Sequence, residues 1–446
     1  MTIKNIALPA VFVLASGLFG TKFAAAGIPV EHWSLPSGAQ VYLVQSPAIP
    51  MLDVQLDFDA GARRNPAALA GLASAAAGMA SKGVRARNGQ PALDENQLAQ
   101  AWADLGAGFS ASAGADRSSY QLRSLTEPDL LAAAAQLAAR QLADPAFDDS
   151  LWRRERQRLI AELKEADTRP ATLAQRTYQQ AVFGAHPYAR QPTTATLSAI
   201  QASDLRAFHR QNLLACRAKV TLVGAVSRAQ ADTLVRALLA HLPQGPCPAL
   251  PALPEVAALA KPQDIRLPFE SAQAHVLLGQ PGIARSSPDF FPLFVGNYLL
   301  GGGTFVSRLT QEVREKRGLS YSVGSGFNPA LQTGAFTISL QTRPDQAAQA
   351  LQVTQDVLAQ FVAQGPDEAE LQNAKTSLIN SFALRIDSNR KLLDNVANIA
   401  WHSLPLDYLD QWTAQVEKVT LADVKAAFAR TLQPGRMAVV VVGGKP

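Results

Sequence analysis

The chain of 446 residues is 48% hydrophobic and 17% charged, which excludes a disordered chain and suits two or three domains better than one. Its 29 glycines and 28 prolines are near average usage and exclude a collagen-like or linker-dominated architecture. The formal net charge is only +5, or +3 without Lys4 and Lys22, and no Lys/Arg cluster with interleaved aromatics occurs, so neither composition nor charge points to nucleic acid.

At the N-terminus Lys4 precedes an apolar run from Ile6 to Phe19, and small residues then end in Ala24-Ala25-Ala26. This is the pattern of a secretory signal peptide, residues 1–26, cleaved after Ala26. The run of 14 residues is too short for a spanning helix, which needs roughly 20. No later stretch is long and apolar enough to span, so the expectation is an exported periplasmic chain with no membrane partner.

Residues 39–44 and 52–58 alternate apolar and polar side chains, as strands of a mostly antiparallel sheet covered by helices on one face do. Residues 120–125 form a further alternating strand that stops at Pro128-Asp129 and leads into an Ala- and Leu-rich helix. Residues 204–213 read as a helix, followed by a strand-like run over 217–223. Cys216 precedes that run and Cys247 sits among prolines; a disulfide and two separate thiols are both open. Residues 242–254 carry so many prolines that helix and sheet cannot continue through them, which predicts a stiff linker over 242–260.

The end of the chain repeats its middle at an offset of 219. Asp204, Leu213, Arg217, Val220, Val223 and Gly224 recur as Asp423, Leu432, Arg436, Val439, Val442 and Gly443. The strand before Pro128-Asp129 likewise resembles residues 336–342 before Pro344-Asp345. Two similar α+β domains are therefore expected, over 27–241 and 261–446, each a mostly antiparallel sheet with helices on one face.

One stretch is unusually specific: Gly301-Gly302-Gly303, then Ser307-Arg308-Leu309, then Arg314 and Tyr321 seven apart around Gly318-Leu319. It lacks the Gly-Lys-Ser/Thr ending of a phosphate loop. It resembles the C-terminal-domain signature of the pitrilysin/insulinase family of zinc metallopeptidases, which includes the mitochondrial processing peptidases. Residues 155–162, with Glu162 at the distal zinc-ligand position, and His186-Pro187-Tyr188 extend the resemblance to nearly the whole mature chain. The resemblance implies two homologous α+β domains, substrate contact by Gly301, Gly302 and Gly303, and catalytic roles for Arg314 and Tyr321.

The departure lies at the zinc motif. Active members carry HxxEH on a helix, two histidines on one face binding zinc with a glutamate as general base. Here Ser74, Ala77 and Gly78 stand at those positions, and Glu162 alone cannot hold catalytic zinc. The six histidines include no two four residues apart, and no GxSxG supports a serine hydrolase. The chain is therefore not expected to build its own catalytic centre or bind a metal.

In the family such chains are partners. The resemblance implies a 1:1 heterodimer with an HxxEH-bearing homologue that carries the zinc, and an extended peptide as substrate. The Arg314–Tyr321 pair would reach the scissile carbonyl of that peptide. A silent structural subunit and a free-standing peptide-binding protein are the alternatives.

Overall fold

The structure is a computed structural model that describes residues 27–303 and 306–444. The signal peptide expected over 1–26 lies outside the described residues. Among the described residues, eleven strands form two sheets. The first contains β1 (Glu31–Ser34), β2 (Gln40–Gln45), β3 (Met51–Phe58), β4 (Gly108–Ala113), β5 (Ser118–Leu125) and β6 (Lys219–Gly224), in the order β1-β2-β6-β3-β5-β4. The second contains β7 (Gln263–Leu267), β8 (Ala274–Pro281), β9 (Ser322–Asn328), β10 (Ala335–Thr342) and β11 (Ala438–Val442), in the order β7-β11-β8-β10-β9.

The two orders superpose if β1 is set aside. In each sheet one pair is parallel, β2 with β6 and β7 with β11, and the others are antiparallel. The offset of 219 carries β6 onto the position of β11. It also carries the helix Pro170–Phe183 onto the helix Asn389–His402, an equivalence not evident from residue identities. The fold is thus the expected α+β duplication.

The main core of each half lies between its sheet and its own helices. In the first half Leu52, Val54, Leu56 and Phe58 of β3 point into that core, with period two as a strand requires. The opposite faces are covered too, and each cover comes from the other half. Ala174, Tyr178, Ala181 and Val182 of the Pro170–Phe183 helix pack on Leu277, Val440 and Val442 of the second sheet. Leu393, Val396, Ile399 and Ala400 of the Asn389–His402 helix pack on Tyr42, Val44 and Val223 of the first. Both helices present residues spaced three and four apart, the stripe an α-helix offers to a flat surface.

Polar contacts fix both crossings. The buried Tyr178 hydroxyl donates to the Phe336 carbonyl at 2.7 Å. A Cβ on Gly279 would stand 2.1 Å from that hydroxyl, so only glycine allows the approach. On the other side the Lys219 ammonium donates to the Ala400 and Trp401 carbonyls at 2.7 and 3.1 Å, which satisfies the C-terminal end of the Asn389–His402 helix.

No helix or strand occurs between Leu239 and Gln263. This segment is held along the first half: Arg217 donates to the Pro248 carbonyl at 2.7 Å and Arg64 to that of Pro251 at 2.6 Å. His186 contacts the Pro254 carbonyl at 3.0 Å and the Gln332 side chain at 2.8 Å, while Tyr188 donates to Asp116 at 2.6 Å. A disulfide joins Cys216 to Cys247, with Cα atoms 5.8 Å apart, and settles the alternative left open by the sequence.

The cross-link closes a loop of sequence separation 31. Replacing both cysteines with serine should lower stability by about 2–4 kcal/mol, mainly by releasing the unfolded chain. Urea unfolding checks this: the variant's midpoint should fall, and a reductant should lower the wild-type midpoint to match while leaving the variant unchanged.

Candidate functional site

Arg314 lies near the end of a π-helical turn, Thr310–Glu315, and Tyr321 directly precedes β9. The seven-residue interval between them is bent back on itself. The Leu319 amide donates to the Val313 carbonyl at 2.9 Å, and the Gly318 amide to that of Arg314 at 2.9 Å. Gly318 has φ of +60°, a conformation that glycine adopts freely. Leu319 is buried below, and Ser320 donates its hydroxyl to the Gln341 carbonyl at 2.7 Å. Thr342 donates to the Leu319 carbonyl.

The fixed backbone brings the two side chains together. The Arg314 guanidinium carbon lies 5.1 Å from the centre of the Tyr321 ring, within cation–π range. Arg314 Nε also lies 3.3 Å from Glu315. Tyr321 is 81% exposed, so it is not a packed core residue of the strand. Its phenol is held at one face by a cation and presents the rest to solvent.

The glycines serve close packing. A Cβ on Gly301 would lie 2.5 Å from the Ser325 amide nitrogen and hydroxyl, and one on Gly302 would lie 2.8 Å from the Asn297 side chain. Ser325 and Asn297 bond each other, hydroxyl to amide oxygen at 2.7 Å and amide nitrogen to carbonyl at 3.1 Å. Gly301 and Gly302 therefore let the π turn Tyr298–Gly302 lie flat on β9, the strand that follows Tyr321. The Gly303 amide donates to the Tyr298 carbonyl at 2.8 Å and closes that turn.

In the first half, Ser74, Ala77 and Gly78 lie on the helix Leu72–Met79. Ser74 and Gly78 are exposed on one face, four apart, and a Cβ on Gly78 would meet nothing within 4 Å. Ala77 is buried, at 4% exposed. Glu162 lies on the helix Asp149–Ala166 and pairs with Arg158 on the same helix. Arg158 also pairs with Glu155 at 2.9 Å. Lys82 and Arg154 complete the cluster, each bound to Glu95 and each within 3.7 Å of Glu155.

These residues do not fit a zinc ion. Ser74 offers one hydroxyl, Gly78 offers no ligand, and Glu162 is already neutralised by a guanidinium. Among the described residues no three His, Cys, Asp or Glu side chains converge on a common point. The carboxylates are balanced by fixed cations instead. Burial pushes the Glu155 carboxyl up, but Arg158, Lys82 and Arg154 outweigh it and hold the group below its usual range.

This arrangement has counterparts among known proteins. The sequence profile described as "Insulinase (Peptidase family M16)" matches residues 40–195, and that of "Peptidase M16 inactive domain" matches residues 199–378. A crystal structure of a peptidase M16 inactive domain from Pseudomonas fluorescens is 33% identical, with TM-score 0.88, covering 94% of this chain and 98% of that one. The chain belongs to peptidase family M16. An uncharacterised zinc protease of Mycobacterium leprae is 28% identical over 432 residues, 95% of this M16 chain and 93% of the relative. The periplasmic protease PqqL of Escherichia coli shares the fold, with TM-score 0.79 and 18% identity over 99% of this chain and 48% of PqqL.

Within the M16 framework this chain lacks the zinc motif and has the residues of the Arg/Tyr signature in contact. Motif reading singles out Arg314, Tyr321 and Glu162 but misses Lys82, Arg154 and Arg158, which take over the charge balance around Glu155. Arg158 is detectable from its spacing, three from Glu155 and four from Glu162. Lys82 is not, because it reaches the cluster from the turn after another helix.

Two outcomes follow from this cluster. Metal analysis of the purified chain should find well under one zinc per chain. Glu155→Gln should lower stability at neutral pH by about 1–3 kcal/mol, since it removes a buried, charge-paired acceptor. The depressed carboxyl of Glu155 contributes stability above the ordinary carboxylate range, and that contribution is lost as pH falls through its folded value. The gap between wild type and variant, read from urea midpoints, should therefore narrow from about pH 6 to about pH 3.

Proposed function

We propose that this chain is the non-zinc subunit of a heterodimeric periplasmic metalloendopeptidase. Its homologous partner supplies the HxxEH motif and the zinc, and this chain supplies substrate contact and transition-state stabilisation. The observation that carries the reading is the Arg314–Tyr321 pair, stacked and solvent-facing, in a chain whose zinc positions hold serine, alanine and glycine. A silent scaffold needs no arginine–phenol pair held at its surface by a bent, hydrogen-bonded backbone.

The chemistry belongs to the phenol. A tyrosine hydroxyl donates one hydrogen bond, and the oxygen of a peptide carbonyl under attack gains charge that such a donor stabilises. The Arg314 guanidinium at the ring fixes the phenol's orientation and adds positive potential where negative charge develops. The peptide lies extended along a sheet edge of the partner, as β-addition allows. Gly301, Gly302 and Gly303 bring the π turn against β9 and so set the height of Tyr321 above the surface.

Export is part of the proposal. The Cys216–Cys247 disulfide is at home in an oxidising compartment. Among the described residues no helix is long and apolar enough to cross a membrane. PqqL, which shares the fold, is a periplasmic protease. Cleavage after Ala26 would also leave a new ammonium on Gly27 beside Asp410, whose carboxylate accepts from the Ile28 amide at 2.8 Å. A side chain at position 27 would meet that carboxylate at 2.7 Å. N-terminal sequencing of the exported chain should begin at Gly27; an intact Met1 start in the periplasmic fraction would count against export by this route.

Co-expression with an exported HxxEH homologue tests the pairing. A 1:1 complex and peptidase activity only in the mixture are expected; full activity of the homologue alone, unchanged by this chain, would contradict the reading. In the complex Tyr321→Phe should lower kcat by about 10²–10³, roughly 3–4 kcal/mol, with little change in KM or in assembly. Turnover within about threefold of wild type, well under 1 kcal/mol, would remove Tyr321 from the chemistry.

A further inference from the structure

Arg285 and Arg385 each sit against two aromatic rings. The Arg285 guanidinium carbon lies 3.7 Å from the centre of Phe290 and 5.0 Å from that of Tyr408, and its Nη2 donates to the Tyr408 hydroxyl at 2.5 Å. That of Arg385 lies 5.4 Å from Phe294 and 5.3 Å from Trp412. Both arginines line one cavity of ≈ 290 Å³, where the helices Phe290–Asn297, Asn389–His402 and Tyr408–Lys418 meet.

No aspartate or glutamate lines this cavity. Among the described residues neither guanidinium takes part in an ion pair. By contrast, Arg308 pairs with Glu370 at 2.7 Å, and Arg63 with Asp59 at 2.7 Å. Two cations held on aromatic faces, with their edges free of carboxylate, are a site arranged for an anion, because a guanidinium fork binds a carboxylate in its plane while its faces stack.

The surroundings agree. His402 also lines the cavity; burial first, then Arg285 and Arg117, push it down to about 4 against the opposing effect of Asp116. The imidazole is therefore neutral, and the charged side chains that line the cavity are Arg285 and Arg385. The cavity wall itself carries the apolar Phe382, Ile399 and Leu404, against which the stem of a peptide side chain would pack. The volume suits one or two side chains rather than a larger cofactor.

We infer that this cavity binds a carboxylate carried on a peptide, either an acidic side chain or the C-terminal carboxylate, between the Arg285 and Arg385 guanidiniums. Neither Arg314, Tyr321 nor any position of the degenerate zinc motif lines it, so the inference goes beyond the proposed catalytic role and does not depend on a partner subunit.

Calorimetric titration of the purified full-length chain, without partner, tests it with three acetylated tripeptides. One is Leu-Glu-Leu with an amidated end, one Leu-Gln-Leu with a free carboxylate, and one Leu-Gln-Leu with an amidated end. At least one of the first two should bind roughly tenfold or more tighter than the third, and which one does so names the source of the carboxylate. Arg385→Gln, an exposed substitution that leaves the core intact, should weaken that binding roughly tenfold or more. Arg385→Lys should restore part of it, since lysine keeps the charge but not the fork. Equal binding of all three peptides, no binding at millimolar concentration, or wild-type affinity in a folded Arg385→Gln chain would each overturn the inference.

Discussion

The helix Pro170–Phe183 lies on a sheet built by the second half of the chain, and the helix Asn389–His402 lies on the sheet built by the first. Each half thus lends one helix to the other. Strand β11 is buried along its whole length, which a sheet covered on one face could not achieve. Without the exchange, each sheet would expose an apolar face to water at about 25 cal/mol per Å². The two halves therefore fold as one body, and the relation between the degenerate zinc helix and the Arg314–Tyr321 pair is fixed by this packing rather than by the linker.

The two crossings are built from different chemistry. The second sheet receives its helix on Leu277, Val440 and Val442, and a single hydroxyl, that of Tyr178, sets the register. The first sheet receives its helix on a more polar surface. Asp53, Gln55 and Asp57 of β3 are buried on that side, with Asp57 bound to Arg117 at 3.0 Å and to the Ser119 hydroxyl. Burial pushes the Asp57 carboxyl up, and Arg117 opposes it. Such a pair contributes little net stability against an apolar equivalent but penalises any shifted packing, because a shift would leave a buried charge without its partner.

The degenerate zinc site follows the same electrostatic logic. A cluster holding Glu155, Glu162 and Glu95 needs compensating positive charge. In a chain without the two histidines, Lys82, Arg154 and Arg158 provide it from side chains. The helix Leu72–Met79 keeps its place in the core through Leu72, Ala73, Ala76 and Met79, while its outer face carries only Ser74 and Gly78. The helix is thus packed without offering metal ligands on its outer face, whereas the surface around Tyr321 is maintained by backbone bonds such as those from Gly318 to Arg314 and from Leu319 to Val313.

The sequence by itself determined the duplication and the fold class, and it named the residues from which the proposed site is drawn. Gly-terminated apolar strands recurring at a fixed offset are a local pattern, and so are Arg314 and Tyr321 seven apart and the absence of HxxEH. The tertiary structure alone decided which helix covers which sheet, because an apolar stripe records that a face is buried but not which surface it meets. It decided the disulfide for the same reason: Cys216 and Cys247 meet only once the proline-rich segment is laid along the first half. It alone showed that Arg314 stacks on Tyr321 and that Lys82 balances Glu155. Contacts between residues far apart in the chain depend on how elements pack, and periodicity records only which face of an element is apolar, not what it will meet.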